Sequence, residues 1–367
     1  MIKQADRHPG LYSVTGCMDG QKPHMMYAAG QIRKKKLIVT FHEQRAKEIY
    51  EEYLFFDPAA VYYPAKDVLF YQADIRGNVL TAERVRAQKK MAEQEEVTVI
   101  TTFDALMNTM PSKEHLLEAR IHLAAGDVVS LEEITKKLVE MGYEKEYQVE
   151  TMGQFALRGG ILDIFPLTEE NPVRIEFWGD EIDTIRYFDT ENQKSIDGID
   201  SIWIYPACEL VLSPQEKEAG IKRMMAEAEK CSAKLRKAMQ TEEAHRMLSL
   251  AKEKAEEWGE LGIVAGMDAF LSYFCGEKRG LLDYFNPQET LLIFDELSRC
   301  VERGRTTETE FAESMKHRLE KGYVLPGQVN ELFRYKEVVA KCNSYSVLGL
   351  ASLDAKDNGF TQKGSCA

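Results

Sequence analysis

Two apolar runs constrain what this chain can fold into. Leu37-Ile-Val-Thr-Phe41 and Val97-Thr-Val-Ile-Thr-Thr-Phe103 are short, uncharged and rich in β-branched residues, the composition of buried strands. Helical patterns lie between them. From Glu43 to Phe55, Ala46, Ile49, Tyr50 and Tyr53 recur at helical spacing, and a long polar helix spans about Asn78 to Gln94. Strands alternating with helices of this length predict a parallel sheet with helices on its faces, an α/β fold.

The pattern changes near residue 120. Ser130 reads as a helix N-cap, with Glu133 completing a capping box. Leu131, Ile134, Leu138 and Met141 form a buried stripe, and Gly142 ends the helix. Strands are expected at Phe155–Phe165, Val173–Trp178, Glu181–Phe188 and Ser201–Ile204, with turns at Thr168–Pro172, Gly179-Asp180 and Asp189–Lys194. This predicts a small α+β domain, a meandering antiparallel sheet on one helix. Charge marks the same segment. The formal net charge of −13 divides into 0 over residues 1–119, −10 over 120–208 and −3 over 209–367. The last third reads as helical, with two helices from Pro214 to Gly259 and another at Thr309–Lys321 around the lone apolar strand Thr290–Glu296. Charge therefore sets residues 120–208 apart as a domain with its own surface, and residues 351–367 read as a loose tail.

Composition excludes several function classes. No run of 18 apolar residues is present, and the N-terminus lacks the apolar core of a signal peptide, so the expected location is cytoplasmic, without membrane contact. The seven cysteines are odd in number with no pair at C-x-x-C spacing, and neither they nor the seven histidines form a metal-binding pattern. The acidic balance disfavours a protein whose main task is coating nucleic acid.

Two fragments of a nucleotide site are legible. Leu11–Gly20 stands where a phosphate-binding loop would stand. On the G-x-x-x-x-G-K-[ST] pattern, Ser13 replaces the first Gly, Met18 the second, Asp19 the Lys and Gly20 the hydroxyl residue, with Gly16 inside the loop. Lys22 lies outside this frame and is followed by Pro23. Leu291-Leu-Ile-Phe-Asp295-Glu296 has the Walker B pattern, an apolar strand ending in a magnesium-linked Asp and a Glu. An acid at the phosphate-binding position is repulsive. The expectation is a degenerate P-loop NTPase-like domain with a Walker B relic, no catalytic residue, no metal and no bound ATP.

The segment Gly153–Asp189 carries Arg158-Gly-Gly-x-x-Asp-Ile-Phe-Pro166, Pro172-Val-Arg-Ile-Glu-Phe177 and Gly179-Asp-Glu-Ile-Asp183 in order. With Tyr63-Pro-Ala-Lys-Asp-Val-Leu-Phe70 and the Leu-Leu-Ile-Phe-Asp-Glu strand, it closely resembles the bacterial transcription-repair coupling factors and, more distantly, the excision-repair protein UvrB. The resemblance implies the N-terminal UvrB-homology module: a P-loop-like domain in two parts, residues 1–119 and 209–350, split by a UvrA-binding insert, residues 120–208, acting as an adaptor between stalled transcription and nucleotide excision repair; the charge map fits these bounds. It assigns UvrA contact to Arg158, Arg174 and Trp178. It also implies that RNA polymerase and DNA are engaged only through domains absent from this chain, and that the family's C-terminal part masks the UvrA surface. Alternation independently puts Arg174, Glu176 and Trp178 on one face of their strand, opposite Val173, Ile175 and Phe177. An Arg beside an exposed Trp is the composition of an interface hot spot. The bland alternative pairs Arg174 with Asp183 or Glu181 and packs Trp178 under a loop. Two rival functions follow from the same residues: a UvrB-type ATPase, and a DNA-binding module built on residues 1–119.

Overall fold

The computed structural model describes residues 10–66, 77–261, 267–353, 360 and 362–366. Residues 67–70 of the Tyr63–Phe70 motif and residues 354–359, 361 and 367 of the expected tail lie outside them. In chain order the strands are β1 (Gly10–Val14), β2 (Lys35–Thr40), β3 (Val61–Tyr63), β4 (Val97–Thr102), β5 (Ile121–Ala124), β6 (Glu144–Lys145), β7 (Gln154–Arg158), β8 (Ile161–Ile164), β9 (Val173–Trp178), β10 (Glu181–Phe188), β11 (Ser195–Ile199), β12 (Ser201–Ile204), β13 (Thr290–Asp295), β14 (Ser346–Leu350) and β15 (Gln362–Cys366).

The chain divides into two compact units. The first comprises residues 1–71, 90–112 and 277–367. Its core is a parallel sheet in the order β15-β1-β14-β13-β2-β4-β3. The two apolar runs that open the sequence are β2 and β4, neighbours in register from Lys35 opposite Val97 to Thr40 opposite Thr102. Their side chains are buried on both faces, as parallel sheets require. Ile38, Ile100 and Ile293 meet Met26 and Ala29 of helix Lys22–Gly30 and Ala46, Ile49 and Tyr53 of helix Glu43–Tyr53. Helix Leu297–Glu320 packs against β13 and β2. The strand that reads as isolated in the sequence, β13, is the middle of the sheet.

Two readings are corrected in this unit. The helix expected at Thr309–Lys321 begins at Leu297. Gly304, inside this helix, is there because the Phe103 ring lies where a side chain would be: a Cβ at Gly304 would sit 2.3 Å from it. The loose tail contains a strand. β15 pairs with β1, using the backbone groups of what would otherwise be an open sheet edge.

The second unit comprises residues 72–89 and 113–276. A six-stranded sheet runs β11-β10-β9-β8-β7-β6, antiparallel except for β6 with β7. Helix Leu131–Glu140 covers one face, burying Ile134 and Leu138 against Phe155, Leu162, Ile164, Val173 and Ile175. Ser130 Oγ accepts from the Glu133 N–H at 3.4 Å, and Gly142 at φ +86° closes the helix with its N–H on Val139 O and the Tyr143 N–H on Leu138 O. The run Phe155–Phe165 is a hairpin rather than one strand, turning at Gly159-Gly160. Ser201–Ile204 leaves the meander and pairs with Ile121–Ala124.

This unit also holds helices Pro214–Lys237 and Thr241–Leu261, which the resemblance assigns to the split domain. Their mutual packing explains this. Ser232 Oγ donates to Ala244 O at 3.0 Å, and Phe274 packs against Gly220, whose Cβ would lie 2.1 Å from the ring. The Arg84–Glu209 pair, at 2.8 Å and almost wholly buried, ties helix Gly77–Glu93 to the chain leaving the insert.

Candidate functional site

The outer face of the six-stranded sheet ends in two neighbouring two-residue hairpin turns. Gly159-Gly160 joins β7 to β8 and Gly179-Asp180 joins β9 to β10. Gly159 and Gly179 have φ +62° and +65°, at the first central position that such turns reserve for glycine. Gly160 meets a second demand: a Cβ there would lie 3.0 Å from Phe177 O. Register then fixes which residues share the face. Arg158, Ile161 and Glu176 form one row. Trp178, Glu181 and Val128 form the next, nearer the tip.

Trp178 is 83% exposed, so it does not pack under a loop. Arg174 pairs with neither Asp183 nor Glu181. Its Nε and Nη2 donate to Asp163 Oδ1 and Oδ2 at 2.7 and 2.9 Å. Its guanidinium also lies 4.4 Å from the Phe188 ring centroid and donates to Gln193 Oε1 at 2.9 Å. Gln193 holds φ +59° in the loop that carries it there. Arg158 Nη2 donates to Asp163 Oδ2 at 2.6 Å. A single carboxylate, 1% exposed, thus fixes two guanidiniums. Arg174 is 14% exposed, its guanidinium engaged by Asp163, Gln193 and the Phe188 ring, whereas Arg158, at 39%, presents its head outward. The Asp163 bonds hold the Arg174 guanidinium protonated, raising its pKa against the opposing effect of burial. Arg186 is paired with Glu176 in the same face. The three residues marked by sequence are therefore brought together, and Asp163 is the residue that sequence reasoning missed. It stands in the Arg-Gly-Gly-x-x-Asp motif, and the strict alternation of β8 was the available signal.

The loop between β1 and helix Lys22–Gly30 forms a second cluster. Ser13 lies inside β1, paired with Gly349, and Gly16 takes φ +78°. Met18 is exposed, and Asp19 and Gly20 begin a single 3₁₀ turn. Lys22, set aside on sequence as out of frame, is fully buried. Its Nζ lies 2.9 Å from Asp19 Oδ1, 2.8 Å from Asp295 Oδ1 and 2.7 Å from Glu296 Oε1. Counted from Gly16, Lys22 occupies the Lys position of the phosphate-loop pattern, with Gln21 at the second Gly and Pro23 at the hydroxyl residue. Burial alone would push the ammonium down, but the three carboxylates outweigh it and raise its pKa. Lys22 in turn lowers the pKa of Asp19. Asp295 also accepts from Thr40 Oγ1 and Arg45 Nε, both at 3.1 Å. Glu296 reaches the cluster from a left-handed backbone, φ 56° and ψ 60°, a conformation non-glycine residues adopt at a cost of about 1 kcal/mol or more. A cleft of about 450 Å³ opens beside the cluster, lined in part by Phe41, Arg45, Glu48 and Arg299.

Cys17, the thiol nearest the loop, is buried, and desolvation raises its pKa. Among the described residues no helix is long and apolar enough to cross a membrane.

Residues 121–210 match the model of the UvrB interaction domain family. The chain is 31% identical over 315 residues to the transcription-repair-coupling factor of Bacillus subtilis, covering 85% of this chain and 26% of that protein. It is 28% identical over 300 residues to that of Staphylococcus haemolyticus, covering 81% of this chain and 25% of that protein. It is also 27% identical over 363 residues to the UvrABC system protein B of Fervidobacterium nodosum, covering 93% of this chain and 54% of that protein. The chain thus spans about a quarter of the coupling factors and about half of UvrB. The exposed Trp178 and the Asp163-centred arginines lie within the segment that matches the UvrB interaction domain family, in a chain similar over most of its length to the transcription-repair-coupling factors.

Proposed function

We propose that this chain docks UvrA through the tip of its six-stranded sheet and serves as an adaptor that brings UvrA to transcription stalled at damage. Trp178 and Arg158 are the contacting side chains, and Arg174 both contacts and braces. The observation that carries this reading is the Trp178 ring, 83% exposed on the same face as a guanidinium pair held by one buried carboxylate, within a matched UvrB interaction domain. An exposed aromatic next to a preorganised arginine loses little side-chain entropy on binding, and such residues dominate interface energies.

The UvrB-type ATPase reading has a specific observation against it. Pro23, at the position where a phosphate loop carries its magnesium-binding hydroxyl, has neither a hydroxyl nor a backbone N–H. The test is a titration of purified UvrA against the chain. Saturable binding is expected, with losses of at least about tenfold for Trp178→Ala and for Arg158→Ala, roughly 1.4 kcal/mol each. Wild-type affinity in both variants would remove the proposed surface. Saturable ATP binding abolished by Asp295→Ala would restore the ATPase reading.

A further inference from the structure

We propose that Lys22 is a resident cation, whose ammonium takes the place that a divalent cation and nucleotide phosphates hold in an intact phosphate-loop site, so that the parallel-sheet domain is complete without either. Three carboxylates, from Asp19, Asp295 and Glu296, bring ligand oxygens within 4.8 Å of one another. Left alone, such a group repels itself, and Asp295 is almost wholly buried. One ammonium lies 2.7 to 2.9 Å from all three. It therefore joins the loop after β1 to the end of β13, the same two elements that a magnesium ion and phosphates connect in P-loop enzymes.

The backbone of the loop is also occupied from within. A phosphate cradle needs free N–H groups converging on one point. Here the Cys17 N–H donates to Ala351 O at 3.1 Å, the Gln21 N–H to Met18 O at 2.9 Å, and the Lys22 N–H to Asp19 O. Ser352 closes the other side, donating its N–H to Glu296 Oε1 at 2.8 Å and its hydroxyl to Cys17 O at 3.1 Å. Three loop amides and the acidic strand end are thus engaged by groups of the chain itself.

The experiment is thermal unfolding of the full chain, wild type and Lys22→Met, with and without Mg²⁺ and ATP·Mg. A ligand that binds only the folded state raises the midpoint by mass action. The wild-type midpoint is expected to stay fixed with both additions. Lys22→Met is expected to melt lower by about 5 °C or more, and Mg²⁺ to recover part of that loss. If Lys22→Met does not fold, the triple variant Lys22→Met/Asp19→Asn/Glu296→Gln removes the repelling charges together with the cation, and is expected to fold and to ignore Mg²⁺. A wild-type midpoint raised by ATP·Mg would overturn the proposal. So would a Lys22→Met midpoint equal to the wild type, or a triple variant that stays unfolded.

Discussion

At the residue scale, the two clusters share one device, a buried charge placed among opposite charges. Asp163 accepts from two arginines, and Lys22 lies within ion-pair distance of three acids. Removing the central charge leaves its partners uncompensated. Asp163→Asn is therefore expected to cost about 3 kcal/mol by urea denaturation, and Arg158→Ala, half in solvent, under about 1 kcal/mol. The acids around Lys22 predict a pH dependence. Asp19 and Glu296 have pKa values held below the ordinary carboxylate range, for Glu296 against its burial. Their stabilisation is fully present above that range and is lost as the pH falls through it, because the unfolded chain takes up protons first. Wild-type stability should decline from about pH 5 towards pH 3, and in Lys22→Met this decline should flatten. Alternation along β9 places Arg174 on the outer face, but not which neighbouring strand supplies its partner. The acids expected across the following turn, Glu181 and Asp183, are not its partners. Register shifts between Ile182 and Thr184, leaving Asp183 exposed, and Glu181 stands opposite Trp178 instead. Lys22 escaped for a different reason: the pattern was started at Ser13, which belongs to β1.

At the element scale, legibility followed burial. β2, β4 and β13 are runs buried on both faces, and their composition alone marks them. Helix Glu43–Tyr53 was equally plain from its spacing. The elements that were missed are held by partners distant in sequence. β15 exists through its pairing with β1, and β5 through its pairing with β12. Gly304, within the missed first half of helix Leu297–Glu320, serves packing against Phe103 and not helix propensity. Gly304→Ala should therefore destabilise by about 1–3 kcal/mol through overpacking. Gly259, in helix Thr241–Leu261 with open space around its Cα, makes the contrast. Gly259→Ala should stabilise by about 0.5–1 kcal/mol. Thermal melts of the two variants check both signs.

At the scale of the whole molecule, the sequence reading held for fold class: a parallel α/β sheet interrupted by a strand-rich insertion. It was less complete for boundaries, because the two long helices carry little net charge and their membership depends on packing rather than composition. The segment of net charge −10 contains the matched domain, and its exposed tip gathers Trp178, Val128 and Arg158. Val128, 74% exposed in the row of Trp178, extends the apolar part of that tip. Val128→Asp should weaken UvrA binding severalfold while leaving the melting midpoint in place. The most direct test of the account is a hydrogen-exchange footprint of UvrA on this chain. Protection is expected at the turns Gly159-Gly160 and Gly179-Asp180 and along Glu176–Glu181, with the loop from Gly16 to Lys22 unchanged. Protection centred on that loop, or on the parallel sheet with the turns unprotected, would contradict it.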